Sequence, residues 1–130
     1  MSNFFDSNVL LYSLEKGSVK QSRCEALLST GGVVSVQVLN EFINAARRKL
    51  RLPLPQIIES LTLLKEGLDV VPLTEEVHRR AVEFALASNF HIYDCNIIAA
   101  AELAGCNVLY TEDMNHGQRI GRVSIRNPFI

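Results

Sequence analysis

The sequence has 130 residues, of which 48% are hydrophobic and 21% are charged, and its formal net charge at pH 7 is −1. A chain of this length and apolar content is expected to form one globular domain over residues 1–130, with a core that needs no disulfide. The near-neutral charge excludes a nucleic-acid binder that relies on a large positive excess, so any such contact needs a local basic patch or a bound metal ion.

Short apolar runs alternate with apolar residues at helical spacing along the first half of the chain. This alternation predicts strands at residues 3–6 and 33–36, and helices at residues 8–14, 19–28 and 37–50. The third of these helices is expected to bury one apolar stripe, because residues three and four apart share a helix face. The predicted members of the stripe are Leu39, Phe42, Ile43, Ala46 and Leu50.

Proline, threonine and glycine mark the element boundaries of the second half. Pro53 and Pro55 suit a first helical turn and predict a helix that runs to about residue 66, where Gly67 stops it. Thr74 is predicted to cap a helix, because a threonine hydroxyl can accept a backbone N–H at that position. The remaining pattern predicts strands at residues 69–71, 107–110 and 122–125, a helix at residues 93–104 and a polar loop at residues 111–117.

Strands that alternate with helices favour an α/β sandwich with a mostly parallel sheet. Ligands of such sheets bind beyond the carboxyl ends of the strands. Asp6 ends the first predicted strand, and Asp113 lies just past the strand at residues 107–110. Both carboxylates are therefore expected on the same rim of the sheet.

Asp94 is placed near the start of a helix and shares a face with Ile97, Ile98 and Ala101. A charge on an apolar face is costly unless it is paired or binds a cation, although an aspartate in a first helical turn is also common for structural reasons. Asp6 has the same two interpretations. It caps the following helix, or it is a metal ligand on a rigid strand end with Ser7 as a supporting hydrogen-bond donor.

Glu41 does not stand out by periodicity, since it falls away from the Leu39 and Phe42 stripe, and a solvated glutamate is the ordinary interpretation. Asp113 lies in a polar loop that is typical of a turn. Asn115 and His116 of the same loop could assist a metal ion or a scissile phosphate. Only the company of the other acids makes these positions candidates.

A basic cluster follows Glu41 at the end of the same helix. Its members are Arg47, Arg48, Lys49 and Arg51. Positive charge at a helix C-terminus matches the helix dipole, and it could also bind RNA phosphates near a metal site. Other motifs are missing: Gly31 and Gly32 lack the lysine and spacing of a phosphate loop, and Ser7 lacks a nucleophile-elbow context.

Cysteine usage and hydropathy point to the cytoplasm. Cys24, Cys95 and Cys106 are odd in number and form no CxxC pair, so free thiols in a reducing compartment are expected in place of disulfides or a zinc site. No apolar run reaches the roughly 20 residues of a membrane span, and no leader pattern is seen at the start. No membrane association is therefore predicted.

Four segments, taken together and in order, resemble a known family. They are FFDSNVL at residues 4–10, LNEF at 39–42, YDCNIIAAA at 93–101 and LYTEDM at 109–114. Each is weak alone because acidic residues are common, but all four lie on the expected elements and span nearly the whole chain. The chain thus resembles the PIN-domain nucleases, and more narrowly the VapC-type toxins of bacterial toxin–antitoxin pairs.

The resemblance implies a fold, an activity and partners. It implies a three-layer α/β/α sandwich with a central parallel sheet, and an endoribonuclease whose clustered carboxylates hold Mg²⁺ or Mn²⁺. It also implies a homodimer silenced by a cognate antitoxin protein that inserts a segment near the active site. Asp6, Glu41 and Asp94 match the three most consistent acids of the family, Asp113 matches the fourth, and Ser7 matches the small hydroxyl residue after the first acid.

A mechanism follows as a hypothesis. Four clustered carboxylates repel one another unless cations fill the pocket, and hard cations suit an all-oxygen site. A bound ion would activate a water for attack on the phosphodiester. Asp6 and Asp94 are the expected direct ligands, whereas Glu41 and Asp113 act through water or position a second ion. Asn115 is a supporting residue.

Other interpretations stay open at this point. A phosphatase-like hydrolase of the haloacid dehalogenase type also has an aspartate after its first strand, but it needs a second one where Asn8 stands. A phosphotransfer receiver domain needs an acidic pair and a later lysine, and neither is present. A PIN-fold module without catalysis, which only binds a partner protein, is the alternative from a different class.

Overall fold

A six-stranded sheet forms the centre of the structure, a computed structural model that describes residues 2–130. Its strands are β1 (Asn3–Phe5), β2 (Gly32–Ser35), β3 (Leu68–Val71), β4 (Val108–Tyr110), β5 (Arg119–Ile120) and β6 (Val123–Arg126). They are ordered β3-β2-β1-β4-β6-β5. All neighbours pair in parallel except β5 and β6, which form an antiparallel edge.

Six α-helices connect the strands within the described residues. They are α1 (Ser7–Leu11), α2 (Val19–Leu28), α3 (Val36–Lys49), α4 (Leu54–Glu66), α5 (Glu75–Ala87) and α6 (Ile92–Leu103). A 3-10 turn at Tyr12–Leu14 continues α1.

Helices cover both faces of the sheet, which gives the predicted three-layer α/β/α sandwich. Consecutive residues of a strand point to opposite faces. Phe4 and Phe5 of β1 are both fully buried, and so are Val33 and Val34 of β2, with at most 5% of the side chain exposed. The central strands therefore carry apolar residues at consecutive positions, as parallel strands do when both faces are packed.

Several boundaries agree with the sequence and others move for local reasons. The Thr74 hydroxyl accepts the N–H of Val77, so Thr74 caps α5 as predicted. Ser35 caps α3 by accepting the N–H of Val38, which ends β2 one residue early and gives Val36 to the helix. The two-residue strand β5 was not predicted, because it is too short to leave a pattern.

The core stripe of α3 is rotated relative to its prediction. Its fully buried residues are Val38, Phe42 and Ala46, whereas Leu39 and Ile43 are only partly buried. The prediction was wrong about the centre of the stripe, because Leu39 and Val38 are equally apolar and only packing against the neighbouring helices decides between them.

The sheet order places a topological switch point at the centre of the molecule. The chain passes from β1 outward to β2 and β3, and then crosses back to β4 on the other side of β1. The crevice between the carboxyl ends of β1 and β4 is where ligands bind in sheets of this kind.

Among residues 2–130 no helix combines the length and hydropathy needed to cross a membrane. The three cysteines are buried free thiols, as predicted.

Candidate active site

Asp6 lies at the switch point, immediately after β1. Its N–H donates to the carbonyl of Tyr110 at 3.0 Å, which continues the pairing of β1 with β4 and brings Asp6 beside Thr111. Its side chain is only 3% exposed. One carboxylate oxygen, Oδ1, accepts the Ser7 N–H at 2.7 Å and caps α1. Asp6 is therefore a helix cap, and its second oxygen still points toward β4.

Two residues that the sequence interpretation did not select as site residues hold that second oxygen. Thr111 donates its hydroxyl to Oδ2 of Asp6 at 2.8 Å, and Asn8 donates its amide to the same atom at 3.3 Å. The Asn8 amide also reaches Oδ2 of Asp113 at 3.0 Å. Asn8 thus links two carboxylates whose positions in the sequence are far apart. The signal that could have found Thr111 is its place right after β4, on the rim that was assigned to Asp113.

Glu41 approaches Asp6 from α3. The Ser7 hydroxyl lies 3.4 Å from Oε1 of Glu41 and 3.5 Å from Oδ1 of Asp6, so it sits between the two carboxylates. The Gln37 amide donates to the other Glu41 oxygen at 3.0 Å. Glu41 is half-buried because Val38, one turn earlier, is at the centre of the core stripe. The ordinary interpretation of Glu41 as a fully solvated glutamate does not hold, because the core stripe is centred on its neighbour Val38.

Asp94 lies in the first turn of α6 and is half-buried. The following residues, 95–101, are all buried, so this part of α6 is buried around its whole circumference and not on the one face that was predicted. Within residues 2–130 the Asp94 carboxylate forms no hydrogen bond or ion pair. It is held near the other acids by the helix alone.

The carboxylates interact electrostatically, although separate elements carry them. Burial raises the pKa of Asp6 from 3.8 to about 7, hydrogen bonds from Thr111 and Ser7 oppose the rise, and the charges of Glu41 and Asp113 add to it. The pKa of Asp94 is also raised, first by burial and then by Glu41 and Asp113. The charges of Glu41 and Asp113 therefore act on both Asp6 and Asp94.

The donor chemistry fits a hard divalent cation, with most of the ion's ligands supplied by water. Among residues 2–130 no three His, Cys, Asp or Glu side chains converge closely enough to hold one ion directly. Mg²⁺ usually keeps several waters and takes only one or two carboxylates. The Ser7 and Asn8 donors already stand between the acids, where positive charge is needed. Burial and the charges of the neighbouring acids raise the pKa values of these carboxylates. Carboxylates in such a site are stabilised by a bound hard cation.

The other predicted site residues are not brought to the carboxylates. Asn115 donates its amide to Gln118 within an exposed turn. The basic cluster, Arg47, Arg48, Lys49 and Arg51, is exposed at the end of α3 and forms no ion pair within the described part of the chain. His116 accepts the N–H of Asn127 through Nδ1. The cluster is thus a free basic patch several residues beyond Glu41.

A separate network fixes the loop that carries Asp113. The Tyr12 hydroxyl donates to Glu112 at 2.6 Å, and Lys20 donates to both groups at 3.0 and 3.1 Å. The backbone N–H of Glu112 donates to Oδ1 of Asn8 at 3.2 Å. The loop after β4 is therefore tied to α1, the 3-10 turn and α2 at the residue next to Asp113.

Comparison with known proteins gives one family and several solved structures. The PIN domain family model matches residues 4–120. A toxin–antitoxin complex from Klebsiella pneumoniae aligns with a TM-score of 0.74 at 18% identity, covering 98% of both chains. VapBC2 from Rickettsia felis, bound to a DNA fragment from its promoter, aligns with a TM-score of 0.74 at 16% identity over 98% of both chains.

A third structure is a toxin with a named RNA target. Mycobacterium tuberculosis VapC20, described as a toxin that cleaves the sarcin–ricin loop, aligns with a TM-score of 0.68 at 15% identity, covering 83% of this chain and 87% of that one. At such identities the structures establish a shared fold. No curated protein sequence matches the chain.

Proposed function

The chain belongs to the PIN-domain family, and on this premise we propose that it is a metal-dependent endoribonuclease that cleaves RNA phosphodiester bonds. The observation that carries the proposal is Asp6, an almost fully buried carboxylate at the switch point whose pKa is raised to about 7 among other acids. Perturbed carboxylates in a crevice are more typical of function than of folding, since they destabilise the empty protein. Residues 1–130 are proposed to act as a single nuclease domain.

Mg²⁺ or Mn²⁺ is the proposed cofactor, with Asp6 and Asp94 as direct ligands and Glu41 and Asp113 acting through water or at a second ion. Such an ion lowers the pKa of a bound water and balances charge on the phosphate. The remaining chemistry belongs to the chain. Hydrogen bonds from Thr111 and Ser7 favour the anionic form of Asp6, which is the form that binds a cation.

Substrate positioning is assigned to the basic cluster at the end of α3 and to the amide of Asn8. The basic cluster at the end of α3 would attract the RNA backbone, because it is exposed and unpaired. The Asn8 amide donates hydrogen bonds to both Asp6 and Asp113 and so fixes the two carboxylates relative to each other. An amide neither donates nor accepts a proton as a catalyst, so Asn8 also weakens the phosphatase-like alternative, which needs a carboxylate there.

The biological setting is proposed from the relatives. The Klebsiella and Rickettsia structures are complexes of a toxin with its antitoxin, and we extend that arrangement to this chain. It is proposed to be the toxin of such a pair, to act in the cytoplasm as a homodimer, and to be silenced by a cognate antitoxin protein. The sarcin–ricin loop, the target of VapC20, makes structured ribosomal RNA a substrate to include in assays.

The test is cleavage of total bacterial RNA by the purified chain, with end mapping, in Mn²⁺ and in EDTA. Asp6→Asn removes one charge without changing the size of the side chain and is expected to lower the cleavage rate at least about 100-fold. Asp69→Asn is the matched control, because Asp69 is the one aspartate outside the cluster and is exposed on β3. Equal cleavage by Asp6→Asn and wild type would exclude this mechanism, and EDTA-resistant cleavage would exclude the cofactor.

Calorimetric titration with Mn²⁺ separates the nuclease from a PIN-fold module that only binds a partner. A nuclease is expected to bind Mn²⁺ in a way that Asp6→Asn abolishes and Asp69→Asn preserves. A module without catalytic ions would show no carboxylate-dependent heat.

A further inference from the structure

A cavity of about 370 Å³ opens beside the carboxylates, between the start of α3, the residues before α5 and the first turns of α6. Its polar wall is formed by Gln37, His78 and Asn96, and its apolar wall includes Leu73, Ile92 and the ring of Tyr93. The volume lies within the roughly 300–1,000 Å³ range of small-ligand pockets. It is not part of the carboxylate site described above.

Asn96 is the unusual residue of this wall. Its side chain is 9% exposed, and its Oδ1 atom is buried without a hydrogen-bond partner. Within residues 2–130 its amide nitrogen forms no hydrogen bond either. A buried polar atom without a partner is destabilising, so such atoms are rare unless something outside the folded chain pairs with them. An unpaired amide can turn about its last torsion and offer either atom to a ligand in the cavity.

One hydrogen bond and one short stretch of helix connect the cavity to the carboxylates. Gln37, in its wall, donates to Glu41 at 3.0 Å from one helical turn away. Tyr93 directly precedes Asp94 on α6, and Asn96 follows it by two residues. One helical turn is about 5.4 Å, so a group seated in the cavity lies close to any phosphate held by the acids.

The chemistry of the wall selects a neutral, flat, polar ligand. No lysine, arginine, aspartate or glutamate among residues 2–130 lines it, so it lacks the charges that bind a phosphate. Tyr93 is 58% exposed, and its ring stacks on the ring of His91 at a centroid distance of 5.2 Å and an interplanar angle of 20°. Exposed aromatic rings and free amides are the groups with which proteins stack and hydrogen-bond unpaired RNA bases.

We propose that this cavity binds one unpaired nucleobase of the substrate RNA next to the scissile phosphate, with Tyr93 as the stacking platform and Asn96 as the group that reads the base edge. The inference rests on the proposed nuclease function and deepens it, because it assigns part of the sequence specificity to this chain. An amide presents one acceptor and one donor and therefore pairs with a base edge that offers a donor beside an acceptor.

The decisive variant is Asn96→Leu, which keeps the size of the side chain and removes both polar atoms. If the Asn96 amide has no partner until a base binds, the substitution removes an unpaired buried polar group from the free protein. The thermal midpoint of unfolding is then expected to rise by about 2–5 °C. The same variant is expected to weaken cleavage of the preferred sequence about 5- to 100-fold relative to other sequences, as loss of a bidentate base contact does. If Asn96 were purely structural, its replacement by leucine would not both raise the thermal midpoint and weaken the preference for one RNA sequence.

The experiment maps cut sites in a randomised single-stranded RNA with Mn²⁺ and compares base frequencies around the cut. Asn89→Leu, at an exposed position before α6, is the matched control. Tyr93→Leu is expected to flatten the same position of the map, and Tyr93→Phe, which retains the ring, to leave it in place. In the inactive Asp6→Asn background, Asn96→Leu is expected to weaken binding of a randomised RNA 10-mer.

The outcomes distinguish this inference from the proposed function. Cleavage that survives Asp6→Asn overturns the nuclease proposal and this one with it. If Asp6→Asn is inactive but Asn96→Leu leaves both the map and the 10-mer binding unchanged, the base pocket is wrong and the nuclease stands. An effect of Asn96→Leu confined to binding of a partner protein would likewise overturn the base pocket.

Discussion

The hydroxyl of Thr111 donates a 2.8 Å hydrogen bond to Oδ2 of Asp6, although the two residues are 105 positions apart in the chain. The bond exists because β1 and β4 are neighbours in the sheet and end at the same level. Thr111 also accepts the N–H of Asp113 at 3.2 Å and the Asn8 amide at 3.0 Å. One buried hydroxyl therefore orients the groups around two of the proposed metal ligands.

Replacing that hydroxyl by a methyl group is expected to raise the pKa of Asp6 further. The hydrogen bond favours the charged carboxylate and so holds the pKa down. In metal-free Thr111→Val the Asp6 midpoint should therefore move above its value of about 7, and the free energy of unfolding should fall by about 1–3 kcal/mol. The carboxyl carbon signal of Asp6, followed by NMR against pH, measures the first effect. Thr62→Val, at an exposed threonine of α4, is the control.

The metal-free protein is expected to lose stability as the pH rises. Folding raises the pKa of Asp6 from 3.8 to about 7, so between these values the folded chain holds a proton that the unfolded chain releases. The free energy of unfolding then decreases with pH and levels off above about pH 7. From pH 5 to pH 8 the decrease should be about 3 kcal/mol.

Urea unfolding at several pH values in EDTA measures this slope, and Asp6→Asn should remove most of it. Asp94, whose pKa is raised in the same direction, should account for what is left. Asp69→Asn should keep the full slope. A wild-type protein whose stability rises with pH over this range would contradict the assignment.

Divalent cations are expected to reverse the loss. Mn²⁺ at 100 times its dissociation constant should add about 2.7 kcal/mol to the stability. The gain should be larger at pH 8 than at pH 6, because protons compete for Asp6 at the lower pH. Thermal unfolding with Mn²⁺ and with EDTA tests this expectation, and an equal gain in Asp6→Asn would show that the ion binds elsewhere.

The side chains of Tyr12 and Glu112 are expected to be energetically coupled. The 2.6 Å hydrogen bond is partly buried and shares Lys20, so a double-mutant cycle of Tyr12→Phe and Glu112→Gln should give a coupling of about 1 kcal/mol. The exposed pair of Arg79 and Glu75 offers a comparison, since it should give less than about 0.5 kcal/mol. Equal couplings in the two pairs would mean that Glu112 does not anchor its loop.

Patterns local in sequence predicted most of the fold. The helix at residues 19–28, the cap at Thr74 and the strand near residues 3–6 follow from capping chemistry and apolar runs within a few residues. The placement of Asp6 and Asp113 on one rim followed from a rule about parallel sheets and needed no distances.

What could not be predicted depends on contacts between distant segments. Asn8 and Thr111 gain their roles only when β1 lies beside β4, and nothing near either residue indicates that pairing. The burial of Glu41 depends on which of two adjacent aliphatic residues of α3 faces the core. Asn115 seemed suitable by residue type and lies near Asp113 in sequence, but its turn directs it to Gln118.

The position of β1 at the centre of the sheet has a consequence for the synthesis of the chain. Strand β1, with Asp6 at its end, is translated before β4 and β6, the parallel partners that close its crevice. On a ribosome, a growing chain that has passed Asp94 still lacks Thr111 and Asp113. On the proposed nuclease function, a growing chain is expected to be unable to cleave nearby RNA until Thr111 and Asp113 have been translated.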